Sequence, residues 1–208
     1  LKVYNTVFVE IIGKEYYYEE PPIEPISLRD CKSQDDTTIF NIWKTKFNDW
    51  IVNPKIDTSN LVIAFNSTLI SPSKSISEAI KNKIKYTSQY IPDSVDFKNY
   101  TILLETLIDC NKYSSIQINI NDLSNTGRFE LRNLEQFRKD NPSYTKIKGF
   151  RLIGDVSLSR VCFNKEFNKG VFYMDFVCGG DCGSGIIFLI SKINGEWIIK
   201  GKIPLWVS

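Results

Sequence analysis

Cys178-Gly-Gly-Asp-Cys-Gly-Ser-Gly185 is the stretch on which the reading of this chain turns. Two cysteines four apart enclose two glycines and an aspartate. Strand-like apolar runs surround the segment, at 156–163, 171–177, 186–191 and 197–206. Polar, turn-rich breaks at 164–169 and 193–196 separate three of them, and the second contains Asn194-Gly195. Asn-Gly between apolar runs is the strongest short-range hairpin signal, because both central residues of the favoured turn take positive φ. Residues 147–208 therefore predict an antiparallel meander of about four strands, with Cys178–Gly185 as one of its turns.

A hairpin of this kind brings Cys178 and Cys182 within the ~4.4–6.8 Å Cα separation that a disulfide needs. The glycines are expected to supply the positive φ angles of a tight turn. The pair reads as a local disulfide formed in an oxidising compartment. A redox-active pair is disfavoured by the Cys-x3-Cys spacing and by the lack of a nearby helix start to lower a thiol pKa. Two thiols also fall short of a zinc site without two further ligands. Cys31 and Cys110 are a candidate second disulfide whose connectivity the sequence leaves open. Cys162, inside a strand, reads as a buried thiol.

The chain of 208 residues contains no histidine. Serine–histidine and cysteine–histidine catalysis, histidine proton shuttles and most catalytic zinc sites are thereby excluded. Any enzyme here would run on carboxylates, lysine, tyrosine or a lone thiol. Hydrophobic content of 42% and charged content of 24% allow one folded α+β domain spanning 1–208. A net charge of +2 argues against a general nucleic-acid or membrane-surface binder. No run approaches the ~18 apolar residues of a membrane span. The chain begins Leu1-Lys2-Val3 with no initiator Met, so it reads as a processed or trimmed form, and any signal segment or lipid-anchoring cysteine would lie outside it.

Working outward, residues 1–146 read as a mostly helical half packed on the C-terminal sheet. Tyr4, Phe8 and Ile11 recur at helical spacing before Gly13. Tyr16, Tyr17 and Tyr18 then precede Pro21, Pro22 and Pro25, a composition that favours an extended arm and makes these residues a candidate partner-binding strip. Phe40, Trp43, Phe47 and Trp50 form the stripe of an amphipathic helix over 38–51, with core packing as its default role. Leu61-Val-Ile-Ala-Phe65 reads as a buried strand. Ser75-Ile-Ser-Glu78 has capping-box spacing ahead of a helix to about Tyr86. A further helix is expected within 94–111, a strand with one wet face over 115–120, and a weak helix over 129–140.

Chemistry-bearing candidates are few. Gly183-Ser184-Gly185 lacks the first half of a nucleophile elbow, and without histidine Ser184 has no base. Gly183 and Gly185 can instead present backbone N–H groups to an anion, with Arg160 or Lys165 as helper. Asp175, Asp181 and Glu196 have no diagnostic carboxylate spacing. No catalytic residue, metal site or cofactor is assigned.

Leu158-Ser-Arg-Val-Cys-Phe-Asn164, the Cys178–Gly185 segment, Asn194-Gly-Glu-Trp197 and the terminal Leu205-Trp-Val-Ser208 occur in an order that resembles a family of uncharacterised exported or lipoprotein-like proteins, found mainly in Bacteroidetes. The likeness covers roughly residues 147–208. It implies placement in the periplasm or at the outer membrane and implies no activity. Together these readings predict a non-enzymatic accessory or interaction protein of the bacterial envelope, a lipoprotein subunit of a larger assembly with a protein partner. The alternatives are a carboxylate-dependent hydrolase of glycans or peptidoglycan and a small-ligand carrier.

Overall fold

The computed structural model describes residues 2–12, 22, 34–53, 55, 59–86, 98–109, 115–141, 149–179 and 182–208. Two compact units are formed: one from Leu1–Gly13 and Asn60–Ser208, the other from Lys14–Ser59. The boundary drawn at 146/147 from the sequence falls inside the larger unit.

The larger unit is built on a seven-stranded mixed sheet. Its strands are β1 (Leu61–Phe65), β4 (Phe129–Asn133), β5 (Arg151–Leu158), β6 (Cys162–Phe163), β7 (Lys169–Gly179), β8 (Cys182–Ile193) and β9 (Glu196–Val207). Their order is β4-β1-β5-β7-β8-β9, with β6 pairing β7 at the side. The expected four-stranded antiparallel sheet is thus corrected, although the chain remains α+β. Strands β7, β8 and β9 form the antiparallel meander, but β1 runs parallel to both β4 and β5. The helix-rich half therefore threads two strands into the sheet and does not merely pack on it. A separate ribbon pairs β2 (Thr68–Leu69) with β3 (Ile116–Gln117).

Both faces of the sheet are covered. Helix α1 (Lys2–Ile12) lies on one, where the Tyr4 and Phe172 rings meet edge to face at 5.6 Å and Phe8 lies 6.1 Å from Phe65. The buried Tyr4 hydroxyl donates to the carbonyl of Ser159. On the other face, helices α3 (Lys74–Tyr86) and α4 (Lys98–Asp109) bring Ile80, Leu103, Leu104 and Leu107 onto Val171, Tyr173, Ile187, Leu189 and Ile203. Helix α5 (Leu134–Asp140) shares that side and sets Leu134 and Phe137 on Val62 and Ala64. The unbroken Leu61–Phe65 run is explained by this layering, since all five residues are buried between α1 and α5. Leu61, Val62, Ile63 and Phe65 each contribute roughly 1.5–3 kcal/mol by this burial.

Local chemistry sets several boundaries. Asn194 and Gly195 both take positive φ, 51° and 88°, and close the β8–β9 hairpin as its sequence demands. Helix α3 is capped by Ser73, whose Oγ accepts from the Ile76 N–H at 3.3 Å; the box read at Ser75 begins two residues late. The segment expected as a weak helix over 129–140 splits in two. Phe129–Asn133 enters the sheet, and Asn133 then caps α5 by accepting from Gln136 N at 3.0 Å. Over 115–120 only Ile116 and Gln117 pair as strand, and a 3-10 turn follows at Ile120–Asp122.

In the smaller unit, helix α2 (Gln34–Val52) carries the aromatic stripe. Successive rings of Phe40, Trp43, Phe47 and Trp50 stack at 5.8, 5.2 and 6.0 Å, and all four residues are half-buried. The Trp43 indole N–H donates to the Pro22 carbonyl at 2.9 Å.

Candidate functional site

The site develops from the hairpin of β7 and β8. Cys178 and Cys182 are joined by a disulfide with a Cα separation of 5.1 Å, which closes the strand ends. Beyond it, register places Ser157, Asp175, Gly185 and Trp206 side by side across β5, β7, β8 and β9. This row faces the side that carries α3, α4 and α5.

Trp206 reaches that face because of a bulge. Gly185 pairs with Trp206 and Ile186 with Pro204, so Leu205 is an extra residue in β9. Leu205 packs into the α3–α4 core, and the shift turns Trp206 to the same side, where strict alternation would have sent it to the other. The Trp206 Nε1 donates to the Tyr173 hydroxyl at 3.0 Å, and that hydroxyl donates to Asp175 Oδ1 at 3.3 Å. Burial pushes the Tyr173 phenol well above its ordinary value; the Trp206 bond opposes this and the Asp175 carboxyl adds to it. Burial likewise raises the Asp175 carboxyl, against the lowering effect of the Tyr173 bond.

The row continues toward α5. Ser157 Oγ accepts from Asn66 Nδ2 at 3.3 Å. Asp155, two residues earlier on β5, is held by Arg138 of α5 at 2.8 Å. Asn133 ties the carboxyl ends of the parallel strands together, its Nδ2 donating to Ser67 Oγ at 2.9 Å. A hollow of about 420 Å³ opens here, lined by Asn66, Leu134, Glu135, Arg138 and Lys139. A second, of about 360 Å³, lies between α3 and α4 against Lys81, Ile84, Glu105, Ile108 and Asp109.

Among the residues singled out from sequence, Cys178 and Cys182 are bonded as expected, and Cys162 is buried outside any disulfide. Gly183 and Gly185 lie in β8, opposite Val177 and Asp175 of β7, and Gly185 also pairs with Trp206 of β9. Arg160 follows β5, half-buried, and its carbonyl accepts from Ser159 Oγ at 2.9 Å. Pro22 is the Trp43 partner. Tyr16, Tyr17, Tyr18, Pro21, Cys31, Cys110 and Asp181 lie outside the described residues. Sequence reading missed Trp206, Tyr173 and Ser157. The available signal was the glycine pair at alternate positions of a strand, which marks close approach of a large group.

No family model, curated protein or solved structure matches this chain. Among the described residues no helix is long and apolar enough to cross a membrane, and no cluster of three or more metal-ligating side chains is present.

Proposed function

We propose that this is a non-enzymatic accessory or interaction protein of the bacterial cell envelope, acting as a lipoprotein-type subunit of a periplasmic or outer-membrane assembly. The observation that carries the reading is the surface of α2. Ile39, Ile42 and Ile51 are 47%, 52% and 55% exposed on this one helix, and helical spacing sets them along the two edges of the half-buried aromatic ladder. Single exposed apolar residues are ordinary, but a cluster of this kind on a soluble unit marks a surface that a partner covers. The Cys178–Cys182 disulfide supports export to an oxidising compartment. A photo-cross-linker at Ile42 in the source envelope tests the reading: it should yield one discrete adduct, and its failure to label any protein would refute the docking role.

One observation favours a second reading, a carboxylate-dependent hydrolase of glycans or peptidoglycan. Asp155 pairs with Val177 and Ser157 with Asp175, so the two carboxylates are diagonal neighbours on one face, a spacing of about 7–8 Å. If that reading holds, Asp155→Asn and Asp175→Asn each abolish turnover of peptidoglycan. A wild-type chain without turnover would remove it. A carrier role finds less support, because Leu103, Leu104 and Leu107 fill the space between α4 and the sheet.

A further inference from the structure

Trp206 lies flat on the sheet. A Cβ built at Gly185 would sit 1.9 Å from its Nε1 and 2.5 Å from Cδ1, and one at Gly183 would sit 3.1 Å from Cζ3. The pyrrole edge and the benzo ring therefore cover two alternate positions of one strand, both bare of side chains. One ring face rests on glycine backbone, and the opposite face points away from the sheet. The residue is half-buried, and its Nε1 bond to Tyr173 fixes the ring in its plane. The hydrogen-bond chain from Trp206 through Tyr173 ends on Asp175 Oδ1, and the Ser157 hydroxyl stands opposite Asp175 on β5.

We propose that this row is a saccharide-binding subsite, in which a pyranose stacks its C–H face on the outer face of Trp206 and bonds its hydroxyls to Asp175 and Ser157. A sugar ring has one apolar face and a rim of groups that both donate and accept. The row offers the matching arrangement, an apolar plate bordered by a carboxyl and a hydroxyl. The plate is already held in place by the glycine floor and the Tyr173 bond, so little side-chain freedom is lost on binding. A cation would also be drawn to an indole face. Burial, however, holds the Asp175 carboxyl toward its neutral form, which suits a hydroxyl partner better than a charged one. The site uses no residue of α2 and is independent of the docking surface proposed there.

The test is titration of the full chain with neutral hexasaccharides of glucose, mannose, xylose and N-acetylglucosamine, with choline as the cationic probe. Binding is read from the indole N–H resonances, Trp206 being assigned by its absence in Trp206→Phe. At least one hexasaccharide should shift the Trp206 resonance. Trp206→Ala should weaken that binding about tenfold or more, the scale of one aromatic contact, and Trp206→Phe, which keeps a ring face, should lose less. Asp175→Asn should fall between them. The wild-type resonance reports directly even if the alanine variant folds poorly. No shift with any hexasaccharide, binding undiminished in Trp206→Ala, or choline bound in preference would each overturn the proposal.

Discussion

Replacing Gly185 with alanine puts one methyl group where the fold has no room. The new carbon would lie 1.9 Å from Trp206 Nε1, 2.5 Å from its Cδ1 and 2.6 Å from the Tyr173 hydroxyl. Contacts that short are not relieved by a shift of a few tenths of an ångström, so the indole must leave its place. Overpacking of this kind costs about 1–3 kcal/mol, and loss of the Trp206–Tyr173 hydrogen bond adds about 0.5–1.5 kcal/mol. The expected destabilisation is therefore about 1.5–4.5 kcal/mol. It should be measured by urea unfolding, with tryptophan emission shifting to the red as Trp206 enters water. Gly183→Ala is the graded control, because its contacts are 3.0–3.2 Å. It should cost less than Gly185→Ala. In a Trp206→Ala background the Gly185→Ala cost should shrink, since the two positions share one contact. A Gly185→Ala protein within about 0.5 kcal/mol of wild type, with unchanged emission, would refute the placement of the indole.

Two further outcomes follow from the same region. Replacing Cys178 and Cys182 together with serine should cost about 2 kcal/mol, the entropy of a closed loop of only about five residues, and should leave the β8–β9 hairpin intact by amide exchange. Asp175→Asn tests the buried carboxyl by its pH dependence. Because the folded protein raises this group above its ordinary value of 3.8, ionisation is harder in the native state than in the unfolded chain. Stability from this group is therefore present below 3.8 and is lost as pH rises through the folded value. The asparagine variant should lack that fall and gain on wild type between acid and neutral pH; a difference independent of pH would contradict it.

What was legible in the sequence depended on the range of the interaction that carries it. Asn194-Gly195 states its own backbone geometry, and the Cys178–Cys182 pair needs only a local turn to close. Both are found. The Leu61–Phe65 run announced a buried strand, but not its partners. Phe129-Glu-Leu-Arg-Asn133 has too short an alternation to declare itself, and it becomes β4 because β1 offers it a parallel edge. That tertiary pairing overrides a weak helical signal and enlarges the sheet beyond the expected meander. The alternation of Ile116, Ile118 and Ile120 misled in the opposite direction, since only two residues there find a strand to pair with. The candidate site was hidden for a third reason. Simple alternation assigns Trp206 to the face opposite Leu205, and only the extra residue in β9 brings it over Gly183 and Gly185. The sequence offers Gly183 and Gly185 as backbone donors to an anion and gives no sign that they leave space for an indole.

The docking role of α2 is tested most directly by the native mass of the protein in mild detergent extracts of its source envelope. A complex well above the 24.0 kDa of the chain is expected, and Ile39→Ser with Ile42→Ser should return the protein to monomer without changing its fold by circular dichroism. A wild-type chain that already runs as a 24.0 kDa monomer in that extract would contradict the account.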